Sequence, residues 1–236
     1  MNNRFLAFHQ ELVKILPDFR ITTKQDSTLM KIIAKVLFFN SKFMTSFTTT
    51  IGQTVYFPVQ DINQLDTDHA IEVLSHEFQH YYDSYRWNFG YYLLYLFPQI
   101  LTIFSILSIL AIWFGLGWLF CLAFLIFLAP WPAPGRALIE YRGYLMSLFV
   151  KNELMKEHEI DLEGRAILLE REVEHHQRQF VGMNYYFMWP FGLEKKLTEK
   201  SQKILDEEFS SEDAIHKRMK WAIYKSHSLP TYEEEI

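Results

Sequence analysis

The sequence predicts a mainly α-helical protein with one small β-hairpin, an α+β core interrupted by an apolar two-helix hairpin suited to a membrane. Three observations point there. Apolar residues recur at helical spacing through most of the charged parts of the chain. One stretch, FMTSFTTTIGQTVYFP from Phe43 to Pro58, is instead rich in Thr, Val, Tyr and Phe. From Trp87 to Gly135 there is no Asp, Glu, Lys, Arg or His.

In chain order, Phe5, Phe8, Leu12, Val13 and Leu16 share helical spacing and stop at Pro17, so a short amphipathic helix opens the chain. A second, from about Ser27 to Phe39, sets Leu29, Ile32, Ile33, Val36 and Leu37 beside Lys31, Lys35 and Lys42. That pattern suits packing on a core or lying in a membrane interface. The 43–58 stretch reads as a hairpin whose strands flank Ile51, Gly52 and Gln53 and whose second strand ends at Pro58. An exposed strand there could hold an extended peptide, or it could be purely structural.

A helix over 66–87 follows. Asp66, Thr67 and Asp68 offer N-cap oxygens, and Ile71, Leu74, Phe78, Tyr81, Tyr82 and Tyr85 form its apolar stripe. Within it SHEFQHYYD, Ser75 to Asp83, contains HExxH. Histidines at i and i+4 lie on one helical face, so His76 and His80 can converge on one metal ion with Glu77 beside it as a base. The same residues would also serve as the solvated face of an amphipathic helix.

Residues 1–86 thus form the first half of a core, 88–131 an apolar insert, and 132–236 the second half. A single α-helix from Tyr91 to Pro130 would be roughly 60 Å long, about twice a hydrocarbon thickness. Two passes are expected instead, Tyr91 to Trp113 and a shorter Leu116 to Trp131, broken at Gly115 and Gly117. Tyr91, Tyr92, Tyr95 and Trp131 suit the bilayer interface. Arg86 precedes the insert, Arg136, Arg142 and Lys151 follow it, and no charge occupies its turn. A multi-pass membrane protein with both soluble parts in the cytoplasm is the expectation.

The helix after the insert, over 136–151, carries Leu138, Tyr141, Leu145 and Leu148. Its Glu140 is the only acidic residue between Asp83 and Glu153, the place from which a third metal ligand would come. An even number of passes must separate it from the HExxH helix if both are to reach one ion. The remainder reads as charged helices, with one or two over Thr198 to Ser226 and an acidic tail, Glu233 to Glu235. His175 and His176 are adjacent and read as surface or core residues, and the aromatic YYFMWPF, Tyr185 to Phe191, as a packing or bilayer-surface patch.

Composition narrows the classes. At 236 residues and 50% hydrophobic content a sizeable core is available, and the one cysteine, Cys121, excludes an intramolecular disulfide. Net charge is −5, although residues 1–50 hold seven Lys or Arg against three acids. That excess fits an anionic membrane surface better than a nucleic-acid groove, and an ordinary mixed surface also accounts for it. No nucleic-acid partner is expected. The N-terminus has no apolar core and small-residue cleavage site, so no cleaved export signal is expected.

The segments TIGQTVYFP, SHEFQHYYD, YYLLYLFPQ and RALIEYRGY, in that order over roughly residues 45–150, resemble a small gluzincin-type zinc metallopeptidase of the minigluzincin kind, a group of phages and bacteria. The likeness is greatest to phage-encoded members that carry a hydrophobic hairpin and an aromatic segment like YYFMWPF. The resemblance implies that His76, His80 and Glu140 bind Zn2+ and that Glu77 is the catalytic base. Related sequences often carry a second acid where this chain has Arg142. Three protein ligands and one open position make a catalytic site, and no cysteine is near enough to close it. The expected reaction is hydrolysis of a protein or peptide substrate near the membrane surface, with Asp83 orienting an imidazole and Tyr144, Tyr81 or Tyr82 as oxyanion donor. The competing expectations are a non-catalytic membrane structural or interaction protein, its zinc site vestigial or structural, and a soluble metalloprotein without membrane contact.

Overall fold

A computed structural model describes residues 4–36, 42–59, 61, 67–129, 131–182, 188–189, 191–209 and 214–228. The architecture is mainly helical with one small three-stranded sheet. Helix α1 (Arg4–Ile15) buries Phe5, Phe8 and Leu12. Strand β1 (Arg20–Thr23) follows, then α2 (Thr28–Val36), the single turn α3 (Phe43–Ser46), and strands β2 (Thr49–Ile51) and β3 (Thr54–Phe57). The predicted hairpin therefore starts at Thr49 and not at Phe43. The Lys24 ammonium, fully buried at the end of β1, donates to the Phe43 carbonyl at 2.6 Å and fastens the α3 turn in place. Burial lowers this lysine to about 8, against a smaller opposing pull from Glu77.

Gly52, at φ +60°, and Gln53 make the two-residue turn between β2 and β3, where a positive φ favours glycine. β2 pairs antiparallel with β3, and β1 pairs parallel on its other side, with Ile21 opposite Val55. Strand β1 is absent from the sequence reading because four residues carry too little alternation to stand out from a loop; pairing across a 34-residue separation defines it. The order β1-β3-β2 leaves β2 at an edge.

Helix α4 (Thr67–Trp87) sends Ala70, Ile71, Leu74, Phe78 and Tyr81 into the core, where Phe19 meets Phe78 edge-on at 4.9 Å and stacks on Tyr81 at 5.5 Å. The expected cap at Asp66 lies outside the described residues. At Asn88, φ 49°, the chain turns into α5 (Phe89–Leu96). It then bends by 88° across Phe97 and Pro98 into a hairpin. The hairpin rises as a 3-10 helix over Gln99–Leu110 and α6 (Ala111–Phe114), reverses at Gly115 (φ +101°), and returns as a 3-10 helix over Leu116–Leu128.

The expected straight first span, Tyr91 to Trp113, is therefore two pieces. Pro98 has no N–H to continue the helix, and α5 turns aside to seat Tyr91 against the core. Among the described residues no single helix is long and apolar enough to cross a membrane; α5 and residues 99–114 reach that length only together, across the bend.

Helix α7 (Pro134–Glu157) begins with proline at a first-turn position, where its missing N–H costs nothing. Most of it is buried, because α4, α5, α8 (Leu162–Val181), α9 (Leu193–Leu205) and α10 (Ala214–Ser228) pack around it, while Leu138 and part of Arg142 stay exposed near its start. Of the one or two polar helices expected over Thr198 to Ser226, the described residues form two, α9 and α10, the first starting five residues earlier at Leu193. Of the aromatic segment, Met188 is buried while Trp189 and Phe191 are exposed; 185–187 and 190 lie outside the described residues, as does the acidic tail.

Candidate metal centre

The HExxH motif lies where α4 and α7, the two longest helices among the described residues, pack together. His76 and His80 occupy successive turns of α4, on the side turned toward α7, and Glu140 faces them from the second turn of α7. Their Nε2 atoms are 3.0 Å apart, and Glu140 Oε2 lies 3.4 Å from the first and 3.5 Å from the second. Glu140 is 2% exposed and His80 7%. Oε2 has no hydrogen-bond donor. A buried carboxylate oxygen left in this state is costly unless something cationic sits beside it. A tetrahedral site with bonds of 2.0–2.1 Å spaces its ligand atoms about 3.3 Å apart, close to the sides of this triangle. His76, His80 and Glu140 are within range to hold one metal ion together.

Electrostatics of the metal-free centre follow from the same geometry. Burial alone would lower the His80 imidazole, but the Glu140 carboxylate beside it overrides that and raises it to about 9. Burial likewise pushes Glu140 upward, and the two imidazoles reverse this and hold it well below the ordinary carboxylate range. A proton and a metal ion would therefore compete for the imidazoles beside Glu140.

Contacts from the surroundings fix the three side chains. Tyr95 of α5 donates its phenol to Glu140 Oε1 at 3.1 Å, and Ser147 Oγ lies 3.3 Å from His76 Nδ1. Gly143 of α7 leaves the space that the His76 ring fills. Glu77, beside His76, receives a hydrogen bond from Thr50 Oγ1 on the edge strand β2, at 2.5 Å. Tyr144 packs against His76, 5.3 Å between ring centres, and stacks on His176 at 4.3 Å. Tyr81 lies in the core against Phe19 and not at the centre.

Asp83 has a different role from the expected one. Its carboxylate is fully buried, accepts from Arg142 Nε at 2.7 Å, from Arg142 Nη2 at 2.8 Å and from Gln79 Nε2 at 2.9 Å, and makes no hydrogen bond to an imidazole. His80 Nδ1 is left without a hydrogen bond. Arg142 pairs with Asp83 and lies over the Trp87 ring.

A second cluster forms on α8, where Glu172, His175 and His176 bring ligand atoms within 4.8 Å of one another despite the adjacency of the histidines. Here the Lys151 ammonium already contacts Glu172, so the cluster carries its own cation.

Sequence reasoning missed Thr50, Tyr95, Ser147 and Gly143. Only Gly143 left a readable signal, a glycine in the middle of a strongly helical run. The other three are ordinary residues made important by partners 27, 45 and 71 positions away. Comparison with protein-family models, curated proteins and solved structures gives no match to this chain.

Proposed function

We propose that this chain is a membrane-anchored zinc metallopeptidase of the gluzincin type, with His76, His80 and Glu140 as metal ligands and Glu77 as general base. The observation that carries the reading is the buried triangle of two imidazole nitrogens and a donor-less carboxylate oxygen, with a second glutamate adjacent. Two nitrogens and one carboxylate favour zinc over calcium or magnesium. A zinc ion held there supplies a Lewis acid that polarises a scissile carbonyl and makes water more acidic.

Glu77 would act as the base that takes a proton from the attacking water and returns it to the leaving amine. The Thr50 hydroxyl holds one oxygen of Glu77 and so fixes the rotation of its carboxylate. Among the described residues β2, the strand that carries Thr50, pairs with a strand on one side alone, and its other edge can hold an extended peptide by main-chain hydrogen bonds.

The anchor rests on a separate observation. Both arms of the 99–128 hairpin present large apolar side chains outward, among them Ile103, Ile106, Trp113, Phe114, Phe120 and Ile126. With about 2.0 Å per 3-10 residue and 1.5 Å per α residue, residues 99–114 rise ~30 Å and 116–128 ~26 Å. Because 3-10 arms are more extended per residue, these lengths approach a hydrocarbon core of about 30 Å although neither arm has the residue count of an α-helical span. Arg86 and Arg136 flank the insert, which favours a cytoplasmic core. The substrate class that follows is a protein or peptide segment close to the membrane surface.

The test uses the purified full chain and its Glu77→Gln variant on a mixed peptide library. About one zinc per chain is expected in both proteins. Cleavage by the variant should be slower by on the order of 10²–10⁴. Equal cleavage by both proteins, or none by either, refutes the peptidase. Replacing residues 100–128 by a short Gly-Ser linker should move the protein from the membrane pellet to the supernatant, and continued sedimentation refutes the anchor.

A further inference from the structure

We propose that Tyr95, at the root of the apolar insert, is a positioning residue of the metal centre: its phenol holds Glu140 Oε1 so that Oε2 alone faces the two imidazoles. This rests on the reading of the triangle as a metal site. It makes the insert a contributor to that site as well as an anchor.

The carboxylate of Glu140 has two oxygens with different surroundings. Oε1 receives the Tyr95 hydroxyl at 3.1 Å, while Oε2 has no donor and lies 3.4 and 3.5 Å from the imidazoles. A hydrogen bond to one oxygen fixes the rotation of the carboxylate and favours binding of a metal through the other.

Tyr95 is itself held by two residues. Tyr91 stacks on its ring at 6.1 Å, and the Arg136 guanidinium lies over it at 5.2 Å. Arg136 Nε also donates to the Tyr95 carbonyl at 3.0 Å, and Nη2 to Gln99 Oε1 at 3.0 Å. One guanidinium four residues before Glu140 thereby ties the helix of the third ligand to both α5 and the first residue of the hairpin. Backbone packing enforces the approach: a β-carbon at Gly135 would stand 2.4 Å from the Leu94 carbonyl oxygen. Only glycine lets α5 come this close to the start of α7.

The experiment measures Zn2+ affinity by competition with a chromophoric chelator and records the visible spectrum of the Co2+-loaded protein, for wild type, Tyr95→Phe, Gly135→Ala and Tyr92→Phe. Tyr92 shares α5 with Tyr95 and is exposed, so its variant is the control. Tyr95→Phe should bind Zn2+ about 10–100-fold more weakly. Its Co2+ bands should shift, with the metal-free thermal midpoint equal to that of Tyr92→Phe. Gly135→Ala should reproduce the spectral shift by pushing α5 away. Wild-type affinity and spectrum in Tyr95→Phe overturn the proposal, as does weaker binding with an unchanged Co2+ spectrum and a lowered metal-free midpoint, which would mark mere packing. No metal uptake by the wild type would overturn this proposal and the peptidase reading together, whereas uptake that is indifferent to Tyr95 overturns this one alone.

Discussion

Gly143 lies directly against the His76 ring: a β-carbon at this position would stand 2.6 Å from Cε1 and 2.8 Å from Nε2. The atoms it would strike belong to the imidazole that completes the triangle with Glu140, one turn away on the same helix as Gly143. The close approach of α4 and α7 at the candidate metal centre therefore depends on a missing methyl group.

Gly143→Ala should separate stability from metal binding. Alanine gains about 1 kcal/mol of helix propensity over glycine, and overpacking costs roughly 1–3 kcal/mol. The net change in stability is therefore small, within about 2 kcal/mol. Displacement of His76 Nε2, by contrast, should lower Zn2+ affinity by at least the tenfold typical of a disturbed ligand setting. Chemical denaturation alongside chelator competition checks both, and a variant that binds zinc normally would show that the two helices can part without cost.

Asp83 and Arg142 should behave as a structural pair. Asp83 is fully buried and Arg142 about a quarter exposed, so removing the arginine strands a carboxylate with only Gln79 beside it. Breaking a buried pair in this way costs about 3–5 kcal/mol, and the exposure of Arg142 points to the lower end. Arg142→Ala should shift the denaturation midpoint accordingly while zinc affinity, measured below that midpoint, stays within about threefold, since Asp83 touches neither imidazole. A large loss of affinity without loss of stability would return Asp83 to the role of orienting a ligand.

Metal binding should depend on pH through His80. Its metal-free value is raised from 6.5 to about 9, so a metal arriving at neutral pH must displace a proton. Affinity should rise about tenfold per pH unit between pH 7 and 9 and level off above. Stability of the metal-free protein should run the other way. A group raised on folding contributes fully below its ordinary value of 6.5 and loses that contribution as pH climbs through about 9, while the lowered Glu140 loses its own below its ordinary 4.5. The metal-free protein is thus most stable between about pH 5 and 6.5. Calorimetry in buffers of different ionisation heat would count the released proton, and its absence would refute the charged His80.

Most of the legible sites share one property: their partners are close in sequence. His76, Glu77 and His80 fall within five residues, and helical periodicity places both histidines on one face. Gly52 marks a two-residue turn for the same reason. Glu140 was legible by scarcity, as the one acid in a long interval. The positions of β1 and of the bend after α5 were not legible: β1 exists through pairing with β3, and the bend arises because α5 packs its Tyr91 on the core and does not extend the apolar run.

The chain's own order of residues determined the helical periodicities, the HExxH turn and the charge-free insert, because each depends on spacings of a few residues or on composition alone. Tertiary structure alone decided which oxygen of Glu140 faces the imidazoles, which hydroxyl reaches Glu77, and that Asp83 serves Arg142. These are contacts between helices and strands tens of residues apart, and their partners become neighbours only when α4, α5 and α7 pack around one point.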